Sequence, residues 1–442
     1  MNSRSRFLKL LLGPVVTLFV GISSGPLLSH IFTPEEFGRY SVLLGIVGIS
    51  VVAVTVRFEQ LIPASEDPHA TLWVVVAFSM VGAFLLGLIG LLFLSPLEAF
   101  FIAGTTLAAA VFNGFYYYLI VNGRVLLASA GRATQATGVI GGQVSFGVSG
   151  IGLPGLLWGE LAGRCVALVL VFQRFERRSS CQLRAVFSSQ WPTAKWLLPS
   201  ALLGALALQM LPLGMPFSVG AAAAGTFLLI YRMVVVPNSL LSKVASDTLL
   251  VELGKRTSKG ASINRFVEHS VGNLLLTAIC LYGSLAVYGG ALFPLIMGEE
   301  WVGISQLVPW LSLLVGFWFI ASPLAMVFVA LNRTRWSFGL SMLDVANRCM
   351  ALAIGFLYQD VVVAAAALGI GGVFVYGISV MSAMTLANAS LLRVFRMIRI
   401  HLFGVVTLLV SSWMLFIHGH LWIAGMLTAI MIIIAGKKVA YV

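Results

Sequence analysis

The chain is 442 residues long, 60% hydrophobic and only 10% charged, with a formal net charge of +12, whereas a soluble domain is roughly 45–50% apolar and about 25% charged. That balance excludes a soluble globular enzyme and leaves an all-α polytopic membrane protein with no segment to spare for a separate soluble domain. In a soluble protein so basic a chain would raise nucleic acid as a partner; here the charge is first a matter of membrane topology, and no nucleic-acid partner is expected.

The first apolar stretch, 9–31, follows Arg4, Arg6 and Lys9 as the core of a secretory leader would. It is too long for such a core and no small-residue cleavage pattern closes it, so a retained first span is expected. Further stretches follow at 38–62, 71–93, 98–121, 125–148, 152–173, 194–213, 217–249, 267–292, 303–331, 336–357, 362–391, 400–417 and 421–436, fourteen in all. Each is long enough, at about 1.5 Å per residue, to cross or nearly cross a hydrocarbon core of roughly 30 Å. With the N-terminus in the cytoplasm, the inside segments hold 21 of the 27 Lys and Arg residues. The outside turns, TPEEFG, SPLE, MGEEW, YQD and HGH, hold only Arg39. A miscounted span would invert every later loop, so the alternation supports both the count and cytoplasmic termini. The turn PASEDPHA at 63–70 departs from it, being assigned inside without a basic residue.

The longest polar break, QRFERRSSCQLRAVFSSQWPTAK, divides the chain into a six-helix bundle at 1–173, a basic cytoplasmic linker at 174–195, a second six-helix bundle at 196–391 and an additional helix pair at 392–442. Each half opens with a proline-containing helix, a short outer turn and a small-residue helix start, and each carries a short Asn-plus-Arg turn, VNGR at 121–124 and LNRTR at 331–335. Parallel repeats of this kind suit transporters that rock one bundle against another.

Five basic residues lie inside spans: Arg57, Arg164, Arg232, Lys243 and Arg348. Each costs at least about 2.5–3.5 kcal/mol at a helix centre unless it is paired, solvated or snorkels. Glu160 with Arg164 and Asp344 with Arg348 are spaced i, i+4 and are expected to pair on their own helices. Lys243, with Asp247, sits where snorkelling suffices. Arg57 and Glu59 are two apart, so on one continuous helix they point to different faces and are not expected to pair. Arg232, in AAAAGTFLLIYRMVVVPNSLL, has no acid within four positions and is the only charge between Lys195 and Lys243. It is expected to face a polar cavity and meet an anion there, a guanidinium being suited to bidentate phosphate recognition; the alternative is pairing with an acid on another helix, such as Glu59, Glu160 or Asp344. If Arg57 and Arg348 join it, the cavity is cationic.

Other features carry less. Cys165, Cys181, Cys280 and Cys349 are isolated, and the histidines are scattered at span ends, which suggests no metal site and no disulfide framework. GIGG at 369–372 suits close helix packing or a bend, and Tyr116, Tyr117 and Tyr118 suit an interfacial belt. No Walker A sequence, no Ser-His-Asp ordering and no paired catalytic carboxylates occur, so neither enzymatic activity nor a cofactor is indicated.

The segments TPEEFGRYSVLLGIVGI, VRFEQLIPASED, GTFLLIYRMVVVPNSLLSKVASD and MGEEWVGISQLVPWLSLLVGFWFIASPLAMVFVALNR resemble the bacterial oligosaccharide flippases. These are the Wzx-type polysaccharide translocases of the multidrug/oligosaccharidyl-lipid/polysaccharide exporter superfamily. The resemblance runs to about residue 391 and resides in the combination. It implies a V-shaped fold of two six-helix bundles, alternating access, and a cationic cavity binding an undecaprenyl-pyrophosphate-linked oligosaccharide, which members move from the cytoplasmic to the outer leaflet of the bacterial inner membrane. By position, Arg57 of VRFEQ and Arg232 of LIYR match cavity cations, Arg348 follows by helix, and Glu59 and Asp344 are candidate coupling acids. Implied partners are the lipid-linked oligosaccharide, membrane lipid, and polysaccharide polymerase and chain-length proteins. A peptidoglycan-precursor flippase matches the MGEEW and SPLAMVF pattern less well. A drug or metabolite antiporter of the same superfamily would favour uncompensated acids over arginines, and a glycan polymerase would need an external loop and catalytic carboxylates.

Overall fold

A computed structural model describes residues 16, 19–21, 23–172, 183–258, 261–298, 301, 304–331 and 333–417. The expected span 421–436, the HGH turn and residues 173–182 of the expected linker lie outside them. The described residues are helical almost throughout, and two compact units, Met1–Leu228 and Leu229–Val442, divide the chain. The division falls inside one helix rather than at the polar break around residue 173.

The first unit contains α1 (Phe19–Ser29), α2 (Pro34–Thr55), the one-turn α3 (Phe58–Leu61), α4 (Pro68–Phe93), α5 (Pro96–Val121), α6 (Val125–Gly147), α7 (Leu153–Phe172), α8 (Leu183–Val219) and the start of α9 (Ala221–Ser258). Its helix starts are written in the sequence. Thr33 and Ser95 each form a reciprocal capping box with the glutamate three residues on, Glu36 and Glu98, and a proline stands at the first helical position; the two side chains of such a box satisfy backbone N–H groups that the helix leaves open. The acids of TPEEFG and SPLE therefore serve as helix caps as well as marking turns free of Lys. Asp67 caps α4 without a reciprocal partner, its carboxylate accepting from His69 N and Ala70 N at 3.1 and 3.0 Å.

Two helices depart from the sequence reading. The span expected at 38–62 is broken, because Val56 and Arg57 both take left-handed backbone (φ 49° and 63°) and end α2 before α3 begins. The linker expected at 174–195 is helical from Leu183 onward, continuing without a break into the next span as α8. Tertiary contact explains why a polar stretch folds there. The Phe187 ring stacks on Phe58 and Phe78 at 5.8 and 5.7 Å, Trp191 packs on Phe187, and Gln190 donates to Ser65 Oγ and Thr71 Oγ1 at 2.8 and 3.0 Å.

The second unit continues α9 and adds α10 (Asn264–Ala278), α11 (Ser284–Met297), α12 (Ile304–Ala330), α13 (Thr334–Tyr358), α14 (Val361–Leu386) and α15 (Leu391–Ile417). A π-helical turn, Ile279–Gly283, joins α10 to α11 inside the expected span 267–292. Helix α12 packs on α11 and α14, α13 forms a hairpin with α14, and α15 lies on α10. GIGG serves close packing: a Cβ at Gly369 would stand 2.7 Å from the Trp310 carbonyl oxygen, and one at Gly372 would collide with the Leu314 side chain.

Among the described residues, eleven helices are long and apolar enough to cross a membrane, against fourteen expected. Helix α6, at the place of the fifth expected span, carries Arg132, Gln135 and Gln143 and is not among the eleven; of the first span only the short α1 is described.

Candidate functional site

In the first unit the helix break presents the first expected cation. Arg57 stands at the left-handed turn and its Nη1 meets Glu59 Oε1 at 3.3 Å. This corrects the expectation that the two cannot pair: it assumed a continuous helix, and the break turns both side chains to one place. The pairing is incomplete. The Glu59 carboxylate is buried, with its side chain 4% exposed, and its Oε2 has no hydrogen-bond partner among the described residues, nor has Arg57 Nε. The left-handed conformation is uncommon for an arginine and a true outlier for a β-branched valine, so the break persists only because the packing around it demands it. Phe58, fully buried in a cluster with Ile62, Leu72, Phe112 and Phe115, supplies that packing.

Glu160 and Arg164 pair on α7 as expected, Nε to Oε1 at 2.7 Å. The couple belongs to a larger buried network. The Tyr40 hydroxyl donates to Glu160 Oε2 at 2.7 Å and accepts from Gln143 Nε2 at 2.7 Å, tying α2, α6 and α7 together. Neither Tyr40 nor Gln143 is legible as a site residue from the sequence. The spacing beneath them is: Gly155, Gly159 and Gly163 on α7 and Gly138 and Gly142 on α6 recur every four residues, the small-residue pattern that lets membrane helices touch backbone to backbone. A Cβ at Gly142 would lie 2.9 Å from Gly159 Cα, and one at Gly138 3.1 Å from Gly163 Cα.

In the second unit Arg348 and Asp344 also pair on one helix, Nε to Oδ2 at 3.0 Å. Asp344 Oδ1 accepts from the Tyr376 hydroxyl of α14 at 2.9 Å, the Tyr376 ring stacks on Trp318 of α12 at 6.4 Å, and Arg348 hydrogen-bonds the Tyr231 hydroxyl of α9. Four helices thus converge on one ion pair. Arg348 is 5% exposed, so its guanidinium is held inward by groups of its own unit. Beside it, Asn347 donates to the Leu368 carbonyl at 3.2 Å, while its Oδ1 has no partner among the described residues.

Arg232 behaves differently from Arg57, Arg164 and Arg348, the other arginines singled out inside the expected spans. It follows Tyr231 on α9, yet where Tyr231 turns in to Arg348, Arg232 is exposed and makes no hydrogen bond or ion pair among the described residues. The acids deepest in the expected spans are already engaged: Glu59 with Arg57, Glu160 with Arg164 and Asp344 with Arg348. The structure therefore couples four of the five predicted site residues as Arg57 with Glu59 and Arg348 with Asp344, one pair in each unit. Arg232 is left with an open charge next to the second pair. Among the described residues no group of three or more His, Cys, Asp or Glu side chains is arranged to hold a metal ion.

No protein-family model and no curated protein matches the chain. Its fold, however, is shared with solved transporters. The lipid II flippase MurJ in an inward closed conformation superposes with a TM-score of 0.72 over 98% of both chains at 12% identity. An inward-facing multidrug resistance MATE family transporter of the MOP superfamily gives 0.57 at 12% identity over 86% of this chain and 98% of its own. A point mutant of the Vibrio cholerae MATE transporter VcmN gives 0.56 at 16% identity over 89% of this chain and 96% of its own. The chain shares the fold of MurJ and of these MATE transporters, and eleven of its described helices are long and apolar enough to cross a membrane.

Proposed function

We propose that the protein is a Wzx-type flippase of the bacterial inner membrane, carrying an undecaprenyl-pyrophosphate-linked oligosaccharide from the cytoplasmic to the outer leaflet by alternating access through a cationic cavity. The observation that carries this reading is Arg232, an exposed guanidinium that is unpaired among the described residues and lies in the apolar N-terminal half of α9, between Ala221 and Leu241, on a fold shared over 98% of both chains with the lipid II flippase MurJ. A charge left open in a span is expensive unless it serves a ligand or a pathway, and a guanidinium matches pyrophosphate oxygens in pairs.

Arg57 and Arg348 extend the same chemistry. Each already holds a carboxylate, so each can exchange that carboxylate for a phosphate oxygen, and a proton or cation arriving at Glu59 or Asp344 would free its arginine. Two arrangements with different affinity for the anion are what a transport cycle requires. The sugar head would travel in a wet groove while the polyprenyl tail remains in lipid. A cationic-drug antiporter, the reading closest to the MATE likeness, would need open acids, whereas Glu59, Glu160 and Asp344 each face an arginine.

The test is complementation of a flippase-deficient strain that makes a matched surface polysaccharide, at equal membrane levels of each variant. Arg232→Ala is expected to lower transport by about tenfold to a hundredfold, the worth of one charge-assisted bond, and Arg232→Lys to restore it only in part. Full activity in Arg232→Ala would refute the assignment of that residue. Rescue of a strain lacking its peptidoglycan-precursor flippase, with none of the polysaccharide strain, would replace the oligosaccharide by that precursor.

A further inference from the structure

Helix α14 carries an open crevice of about 450 Å³ along one of its stripes. Its wall repeats every four residues, Val373, Gly377, Met381 and Thr385, beside Phe374, Ile378, Ser382 and Leu386, and Trp336 from the first turn of α13 closes it at one end. From residue 373 to residue 386 the stripe is about 20 Å long, a little more than one leaflet's share of a hydrocarbon core roughly 30 Å thick. The wall is apolar except near the Trp336 end, where Ser382 and Thr385 stand. Gly377 is what deepens it, because a Cβ built there would meet nothing within 4 Å.

The same end is basic. Arg333 and Arg335 flank the start of α13, both are exposed, and neither side chain makes an ion pair or hydrogen bond among the described residues. Beyond the end of α14, Glu268 of α10 is the acid at the start of α15, and it is already taken by Arg393 at 3.2 Å and by the Ser390 N–H at 2.8 Å. An occupant that lays one chain along α14 and leaves a negative head at its mouth would satisfy both features.

We propose that the α13–α14 crevice is a binding site for one anionic glycerophospholipid of the surrounding leaflet, an acyl chain lying along Val373–Leu386 and the phosphate held by Arg333 and Arg335. The distribution of basic residues along the chain makes that leaflet the cytoplasmic one. Each arginine near an anionic headgroup contributes about fivefold in affinity, so both together give roughly thirtyfold. The assignment is independent of what the protein transports.

Native mass spectrometry of the detergent-purified full-length chain tests it, with phosphatidylglycerol and phosphatidylcholine of the same acyl composition as probes. The wild type is expected to retain phosphatidylglycerol in preference. R333Q/R335Q should abolish the preference, losing roughly thirtyfold for the anionic lipid alone, and Gly377→Leu should weaken both lipids by filling the crevice. Gly404→Leu on α15, where an added Cβ also meets nothing within 4 Å, is the filled control and should bind as the wild type does. Circular dichroism and elution volume confirm that each variant is folded. Equal retention of the two lipids by the wild type, or unchanged binding by Gly377→Leu, overturns the proposal. Displacement of phosphatidylglycerol by undecaprenyl phosphate at equal concentration, lost again in Gly377→Leu, would overturn it by giving the crevice to the carrier's polyprenyl chain instead.

Discussion

Replacing Gly159 by alanine should cost far more than replacing Gly141, although both are helical glycines in the same hairpin. At Gly159 of α7 the new Cβ would lie 2.5 Å from Gln143 Cα and 2.6 Å from Gly142 C, and nearer still to Gln143 N. All three are backbone atoms and none can rotate away. Ordinary contact begins at 3.4 Å, so α6 and α7 must part by about 1 Å. Overpacking of that kind costs about 1–3 kcal/mol, and the shift also pulls Gln143 from the Tyr40 hydroxyl, a bond of 2.7 Å with a net worth of about 1 kcal/mol. At Gly141 an added Cβ meets nothing within 4 Å, and alanine is the better helix former by about 0.8–1 kcal/mol. The propensity gain is common to both variants and cancels, so the overpacking and the lost hydrogen bond should separate them by roughly 2–4 kcal/mol in unfolding free energy. Titration with sodium dodecyl sulfate in mixed micelles, followed by circular dichroism, reads the difference directly. Equal midpoints for Gly159→Ala and Gly141→Ala would refute the backbone contact between α6 and α7.

Arg57→Ala strands the buried Glu59 carboxylate and should destabilise by about 1–3 kcal/mol, less than a fully buried pair because Arg57 is a quarter exposed. The double variant R57A/E59Q should recover most of that loss in the same unfolding titration, and additive costs would show that the two side chains do not interact. Tyr376→Phe removes the donor to Asp344 Oδ1 at 2.9 Å and should cost about 1 kcal/mol; an unchanged midpoint would mean that Asp344 is solvated rather than held by α14.

The spans were legible because lipid imposes a length and an apolar composition that local sequence must meet on its own. For the same reason both i, i+4 ion pairs could be read directly, since helix geometry alone brings Glu160 to Arg164 and Asp344 to Arg348. Arg232 stood out as a cation without a local acid, and it is unpaired among the described residues. Two signals were present in the letters: the S/T-P-x-E turns, read only as outside turns, are capping boxes, and the four-residue glycine spacing on α6 and α7, which the sequence reading passed over, is a helix contact.

The rest depended on residues far apart in the chain. Pairing of Arg57 with Glu59 follows from a left-handed break that no local propensity favours at Val-Arg, and that the packing of Phe58 against other helices imposes. A polar stretch became the first turns of α8 because Phe187 and Gln190 found partners on α3, α4 and the turn before it. Tyr40, Gln143, Tyr231 and Tyr376 gained their roles only when three or four helices met. Hydrophobic length, charge and helical period are properties of a segment, so the sequence alone was enough to specify them; which hydroxyl completes which carboxylate is decided by helix packing, because those bonds join residues 32 to 120 positions apart.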